Sequence, residues 1–258
     1  MRKLNESFKN KKLIIFDLDG TLTESKSDMT SAMAGILCHL LKVRRIAVIG
    51  GGSYEQFQKQ LLKKLKCPDE YLKNLFIFPT TSTVFYRYHK NKWRMVYRQN
   101  LSSTEKKKIF TAFVKTFKEL NYIKPKQIFG KLIEDRGTQI TFSALGQRAP
   151  LSLKEKWKKE NSPLKLKVAK TLQRYLPTLE VRAAGFTSID ITRKGIDKAY
   201  GIHQIKKHLG VSIQDMIFIG DALFPGGNDY AARKTGVLCV SVSGPRETTK
   251  IIQFLLKN

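Results

Sequence analysis

Acidic residues, cysteine and histidine are all scarce in this chain of 258 residues: 21 aspartates and glutamates, three cysteines and four histidines stand against 48 lysines and arginines. The cysteines (Cys38, Cys67, Cys239) are odd in number and widely spaced, which argues against a disulfide framework or a zinc site and predicts reduced structural thiols. The histidines (His39, His89, His203, His208) show no ligand spacing, and His203 and His208 fall on the surface of a predicted helix. No apolar run reaches the roughly 18 residues of a membrane span. The opening Met1-Arg2-Lys3-Leu4-Asn5-Glu6 has no apolar signal segment. A cytoplasmic protein without a membrane partner is expected. Long Gly, Ser or Pro-rich linkers and internal repeats are also missing.

What the chain has in excess is positive charge, +27 overall. Between residues 85 and 187, 24 lysines and arginines meet only seven acids, a net +17. Such a field attracts polyanions and phosphorylated substrates. The lysines of this region (Lys154, Lys156, Lys158, Lys159, Lys165, Lys167, Lys170) are interspersed at helical period with apolar residues, which also describes an ordinary solvated helix face. A hydrophobic content of 41% suffices for one large domain or two modest ones.

The most informative segment is the apolar run Leu13-Ile14-Ile15-Phe16, which ends in Asp17-Leu18-Asp19-Gly20-Thr21-Leu22-Thr23. Four apolar residues between lysines and a Gly-Thr turn predict a parallel strand buried on both faces. The carboxyl end of such a strand is where open α/β sheets bind ligands. Two carboxylates there repel each other unless a cation neutralises them, and a hard, oxygen-seeking ion such as Mg²⁺ is suited to that.

Periodicity predicts a helix over 29–43, a strand over 45–49 ending at Gly50-Gly51-Gly52-Ser53, and a helix over 54–65. Free backbone N–H groups at Gly52 and Ser53 can face a phosphate, although the same run also serves as a plain helix cap. From Leu75 the pattern changes to antiparallel-type strands (76–78, 83–88, 93–97), a helix over 106–121, a strand over 139–143, a helix over 164–176 and a strand over 179–183. At Ser188-Ile189-Asp190-Ile191 strand and helix alternation resumes. The expected organisation is therefore an α/β core of parallel strands in two pieces, 1–84 and 188–258, interrupted by an inserted α+β domain at 85–187.

A second strand-end acid follows Met216-Ile217-Phe218-Ile219, in Gly220-Asp221-Ala222-Leu223-Phe224-Pro225-Gly226-Gly227-Asn228-Asp229. Asp221 is the candidate further metal ligand, with Asn228 and Asp229 returned by the Pro-Gly-Gly turn as inner or outer oxygen groups. In Gly195-Ile196-Asp197-Lys198, the ammonium of Lys198 opens a helix where it can offset phosphate charge.

These four segments, in this order and spacing, resemble the haloacid dehalogenase superfamily of phosphotransferases. The Gly-Gly-Asn-Asp ending, the position of the inserted domain and Gly195-Ile196-Asp197-Lys198 resemble its phosphomannomutase-like branch with type IIB caps. The resemblance implies a Rossmann-like core and a cap that reads the substrate. It further implies that Asp17 is the nucleophile, that Asp19 is the acid and base, and that Mg²⁺ is held by Asp17, the Asp19 carbonyl and Asp221. Lys198 with Ser53 or nearby amides completes the phosphate cradle. Arg136 and Arg148 in the cap, and Ser188 and Asp190 near the hinge, are its candidates for gripping a distal phosphate or sugar hydroxyls. Arg136 has Glu134 and Asp135 as alternative partners.

Three departures weigh against a mutase. Lys26 stands where mutases carry arginine, a point charge without a bidentate fork. Gln147 occupies the direct position of an arginine that Arg148 matches only after a one-residue slip, and Gly52 stands where a serine is expected, Ser53 one later. The expectation is a Mg²⁺-dependent phosphatase or phosphotransferase acting on a small phosphorylated metabolite, most naturally a sugar phosphate, through an aspartyl-phosphate. Phosphomannomutase is the alternative, a nucleic-acid-binding scaffold is the less favoured reading from another class, and the resemblance allows a cap-to-cap homodimer.

Overall fold

The structure, a computed structural model, describes residues 6–25 and 27–257. In chain order the first elements are β1 (Leu13–Asp17), α1 (Ser31–Val43), β2 (Arg45–Ile49), α2 (Tyr54–Phe57), α3 (Asp69–Leu72), β3 (Leu75–Phe78), β4 (Val84–His89) and β5 (Lys92–Arg98). There follow α4 (Ser103–Glu119), β6 (Ile133–Asp135), β7 (Ile140–Ser143), α5 (Leu151–Tyr175), β8 (Leu179–Ala184) and β9 (Ser188–Arg193). The chain closes with α6 (Lys198–Leu209), β10 (Met216–Gly220), β11 (Leu238–Ser241) and α7 (Pro245–Leu256).

Two compact units result. The first takes the chain up to Arg98 and again from Ile196, and the second is Gln99–Gly195. The first is built on a seven-stranded sheet in the order β11-β10-β1-β2-β3-β4-β5, in which β11 through β3 run parallel and the β4–β5 hairpin adds antiparallel. Alternation along β1 sends Ile14 and Phe16 to one face, with Met33, Leu37 and Leu41 of α1 and Ile251, Ile252 and Leu255 of α7. It sends Leu13 and Ile15 to the other, with Ile202 and Ile205 of α6. Each such fully buried side chain contributes about 1.5–3 kcal/mol. Helix α1 starts where the Thr30 hydroxyl accepts the Met33 N–H at 3.2 Å, an N-cap ahead of the apolar stripe.

The second unit is a four-stranded antiparallel sheet, β6-β7-β9-β8, with Phe142, Ile189 and Ile191 packed against Phe113 of α4 and Val168 and Leu172 of α5.

The structure moves both expected domain boundaries. Residues 85–98, expected in the insert, extend the first sheet, because Phe76 pairs with Arg87 and Ile77 with Tyr86. Residues 188–193, expected in the core, form β9 between β7 and β8. An antiparallel strand has the same local pattern in either sheet, and only pairing decides where it belongs. The expectation of three reduced thiols is also corrected. Cys38 of α1 and Cys67 form a disulfide with Cα atoms 5.6 Å apart, while Cys239 is a buried thiol outside it that donates to the Val237 carbonyl at 3.4 Å. Both cysteines pack against the same side of the sheet, a proximity that 29 residues of separation concealed.

Candidate active site

Because β1 and β10 are parallel neighbours, with Phe16 opposite Ile219, their carboxyl ends deliver Asp17 and Asp221 side by side. Asp17, Asp221 and Asp229 place carboxylate oxygens within 4.8 Å of one another. Into this cluster comes Lys198, the first residue of α6, whose helix is capped by Asp197 accepting the Tyr200 N–H at 2.9 Å. The Lys198 ammonium donates to Asp17 Oδ1 and to the Ile49 carbonyl at 3.0 Å, and lies 3.2 Å from Asp229 Oδ1. Asp17, Lys198 and Asp229 are 3%, 2% and 0% exposed, so three of these four charges lie out of water.

Glycine makes the crowding feasible. A Cβ on Gly20, whose φ is +84°, would stand 2.5 Å from Asp221 Oδ2, and one on Gly220 would collide with Asp229 Oδ2. That same Asp229 oxygen accepts the Ala222 N–H at 3.2 Å, which fixes the turn after β10.

Three carboxylates facing one ammonium leave a net charge of −2 if all are ionised. Burial pushes the Asp17 carboxyl well above the ordinary aspartate value; Lys198 draws it back and Asp229 raises it again. Asp221 is raised too, by burial and then by Asp229. Burial opposes the charge on Lys198, but Asp17 and Asp229 outweigh it and hold the ammonium above the usual lysine range. Asp17 Oδ2 is buried without a hydrogen-bond partner. A buried carboxylate oxygen lacking a donor, with oxygens of two further carboxylates within 4.8 Å, fits a divalent cation.

The remaining candidates fall into place as follows. Asp19, half-buried two residues beyond the strand, accepts the Gln60 amide on Oδ1 at 3.2 Å. Ser53 is the N-cap of α2: it accepts the Gln56 N–H at 3.4 Å and its own N–H donates to the Gln56 side chain at 2.8 Å, a capping box. Gly52 stands beside it, its carbonyl accepting the Thr80 N–H at 2.9 Å. Asn228 is exposed, whereas Asp229 beside it is buried in the cluster. Lys26 lies outside the described residues.

Four candidates belong to the second unit. The Arg136 guanidinium donates to Glu134 at 2.7 Å and to Gln147 Oε1 at 3.2 Å, with its side chain 6% exposed, so the alternative ion pair is formed. Arg148 is exposed. Ser188 is buried, and Asp190 accepts the Thr141 hydroxyl at 2.8 Å. Sequence reasoning missed Gln60 and the Ile49 carbonyl, since neither a lone glutamine on a helix nor a backbone atom carries a local signal.

Parallel strands that end in Asp-Leu-Asp-Gly-Thr and Gly-Asp, with a buried lysine between, define an enzyme of the haloacid dehalogenase superfamily, of phosphotransferase or hydrolase type. A sequence profile described as eukaryotic phosphomannomutase matches residues 33–258, and the chain belongs to that family. It is 28% identical to a phosphomannomutase of Encephalitozoon cuniculi over 259 residues, covering 96% of this chain and 94% of that protein. In fold it is similar to an IMP-nucleotidase of Plasmodium falciparum, with a TM-score of 0.69, 20% identity, and 96% of this chain and 68% of that one covered. It is likewise similar to a haloacid dehalogenase-like hydrolase of Bacteroides thetaiotaomicron, with a TM-score of 0.62, 15% identity, and 95% and 99% covered.

Proposed function

We propose that this chain moves phosphoryl groups from small sugar phosphates through an aspartyl-phosphate on Asp17, with water as the principal acceptor. The observation that carries this reading is the buried Asp17, paired through Oδ1 with Lys198 and lacking a partner on Oδ2. The Asp17 carboxylate forms a bond to phosphorus as the bond to the leaving oxygen breaks, and Asp19 gives that oxygen its proton. Asp19, now a carboxylate, takes a proton from the incoming hydroxyl as it attacks the acyl phosphate, and Asp17 is released. Lys198 offsets charge on the phosphoryl oxygens, and Asp229 keeps the ammonium aimed. A Mg²⁺ ion held by Asp17, Asp221 and the Asp19 carbonyl, with Asp229 and Asn228 around it, would supply further positive charge to the transferring group.

Water is favoured over a sugar hydroxyl because a mutase must grip a second phosphate, and the Arg136 fork is spent on Glu134 and Gln147. Phosphomannomutase activity is the second reading, favoured by the family match over 33–258 and by relatives named phosphomannomutase that are covered nearly end to end. Exposed Phe110 and Val114, one turn apart on α4, are the surface to which pairing of second units would be assigned. The deciding experiment measures Mg²⁺-dependent phosphate release from sugar phosphates and nucleotides beside interconversion of mannose 1- and 6-phosphates with a bisphosphate activator, Asp17→Asn serving as blank. Release without isomerisation supports the hydrolase, isomerisation exceeding release establishes the mutase, and neither activity above the blank overturns both.

A further inference from the structure

We infer that Gln60 is the positioning residue for the proton-carrying carboxyl group of Asp19, an inference that rests on the acid and base role proposed above. Helix α2 runs on into a π-helical turn, Gln58–Leu62, in which the Lys63 N–H reaches back five residues to the Gln58 carbonyl at 2.9 Å. Such widened turns are uncommon and cluster at functional sites. Gln60 and Leu61 are both buried in it, and Gln60 is 4% exposed.

A buried amide must find partners or cost free energy. The Gln60 Nε2 donates to Asp19 Oδ1 at 3.2 Å and to the Ser27 carbonyl at 3.2 Å. Both partners are pure acceptors when Asp19 is ionised, which fixes the amide with nitrogen towards them. The Gln60 backbone carbonyl accepts the Met29 N–H at 2.8 Å. One residue therefore ties the Asp19 carboxylate to the segment that follows it at Ser27 and Met29. A donor seated on Oδ1 sets the rotation of the carboxyl plane that gives and takes the proton in the two half-reactions.

The test compares wild type, Asp19→Asn, Gln60→Met and Gln60→His for kcat, KM, melting temperature and the single-turnover rates of phospho-enzyme formation and breakdown. Methionine fills the glutamine volume without a donor, and histidine returns an N–H at about the same reach. Misplacing a reacting group slows chemistry rather than binding, so Gln60→Met should lose about tenfold or more in kcat at a KM within about twofold of wild type. Formation and breakdown should slow by similar factors, and Gln60→His should recover part of the loss. Wild-type kcat in a folded Gln60→Met, or a loss confined to KM, overturns the inference. If Gln60→Met melts early, Gln60→Asn, one methylene too short to reach, replaces it, and equal activity of the Asn and His variants overturns the inference. An inert wild type or a fully active Asp19→Asn refutes instead the reading on which the inference depends.

Discussion

Asp229 is fully buried, which a carboxylate tolerates only where it has partners: one oxygen faces Lys198 and the other takes the Ala222 N–H. Asp229→Asn keeps the shape and removes the charge, which loosens the ammonium and reduces the pull on a cation. The expected result is a fall of about 10–100-fold in Mg²⁺ affinity or in kcat, as for other groups that orient ligands and charges, read by titrating initial rates with Mg²⁺ at saturating substrate. Asp17 and Asp221 were legible as strand-end acids because an aspartate directly after a buried apolar run has little other use. Asp229 was legible as an oxygen donor but not as the partner of Lys198, since 30 residues of chain lie between them. Gln60 was invisible, because what distinguishes it is a π turn and a contact 41 residues away.

Among elements, the turn after β3 is the most strained. Thr80, Thr81 and Ser82 follow one another with φ of 48°, 54° and 68°, a left-handed conformation that β-branched residues avoid. The N–H groups of Thr80 and Thr81 donate to the carbonyls of Gly52 and Gly50, both at 2.9 Å, so the strained turn props the loop leading to α2. The left-handed conformation costs a non-glycine residue about 1–2 kcal/mol and glycine loses about 0.5–1 kcal/mol more backbone entropy on folding, so Thr81→Gly should stabilise by about 0.5–1 kcal/mol. Urea denaturation checks this: an unchanged or lower midpoint contradicts the strain. No sequence pattern announced this turn; Pro79-Thr80-Thr81-Ser82 reads as an ordinary loop.

In the second unit the start of α4 is tied to the end of β9, where the Arg193 guanidinium donates twice to Glu105, each at 2.8 Å. That bond, with the Ser102 capping box, holds the Glu105 carboxyl at about 2. Its folded pKa is below the unfolded value of about 4.3, so the stabilisation is present above that value and disappears as pH falls through about 2. With the pair partly solvent-exposed, its size stays under about 1 kcal/mol. Glu105→Gln should lower the melting temperature slightly at pH 7, and the difference from wild type should vanish by about pH 2.

At the scale of the whole molecule, the chain carries a net charge of +27, whereas the candidate site is a cluster of three aspartates and one lysine. Substrate phosphates are drawn by a field that salt screens, with a Debye length of about 10 Å at 0.1 M and about 3 Å at 1 M. KM for a sugar phosphate should therefore rise with NaCl while kcat holds, and initial rates across a salt series measure it. A KM indifferent to salt would mean that the lysines serve something other than substrate capture. The α/β core and the inserted unit were legible from the change of pattern near Leu75, but their seams were not, because hairpin β4–β5 and strand β9 resemble members of either sheet until paired.

The order of strands also has a consequence for how the chain is made. β1 lies between β2 and β10 in the sheet, yet about 200 residues separate Asp17 from Met216 along the chain. At about 5–20 residues per second on the ribosome, β1 waits roughly 10–40 s for its second neighbour. During that time Leu13–Phe16, an uncharged edge without proline, is open to wrong pairing, and Asp17 has no ammonium to face. Arrested nascent chains ending before Met216 should therefore recruit chaperones through this segment and release them once α6 and β10 have emerged.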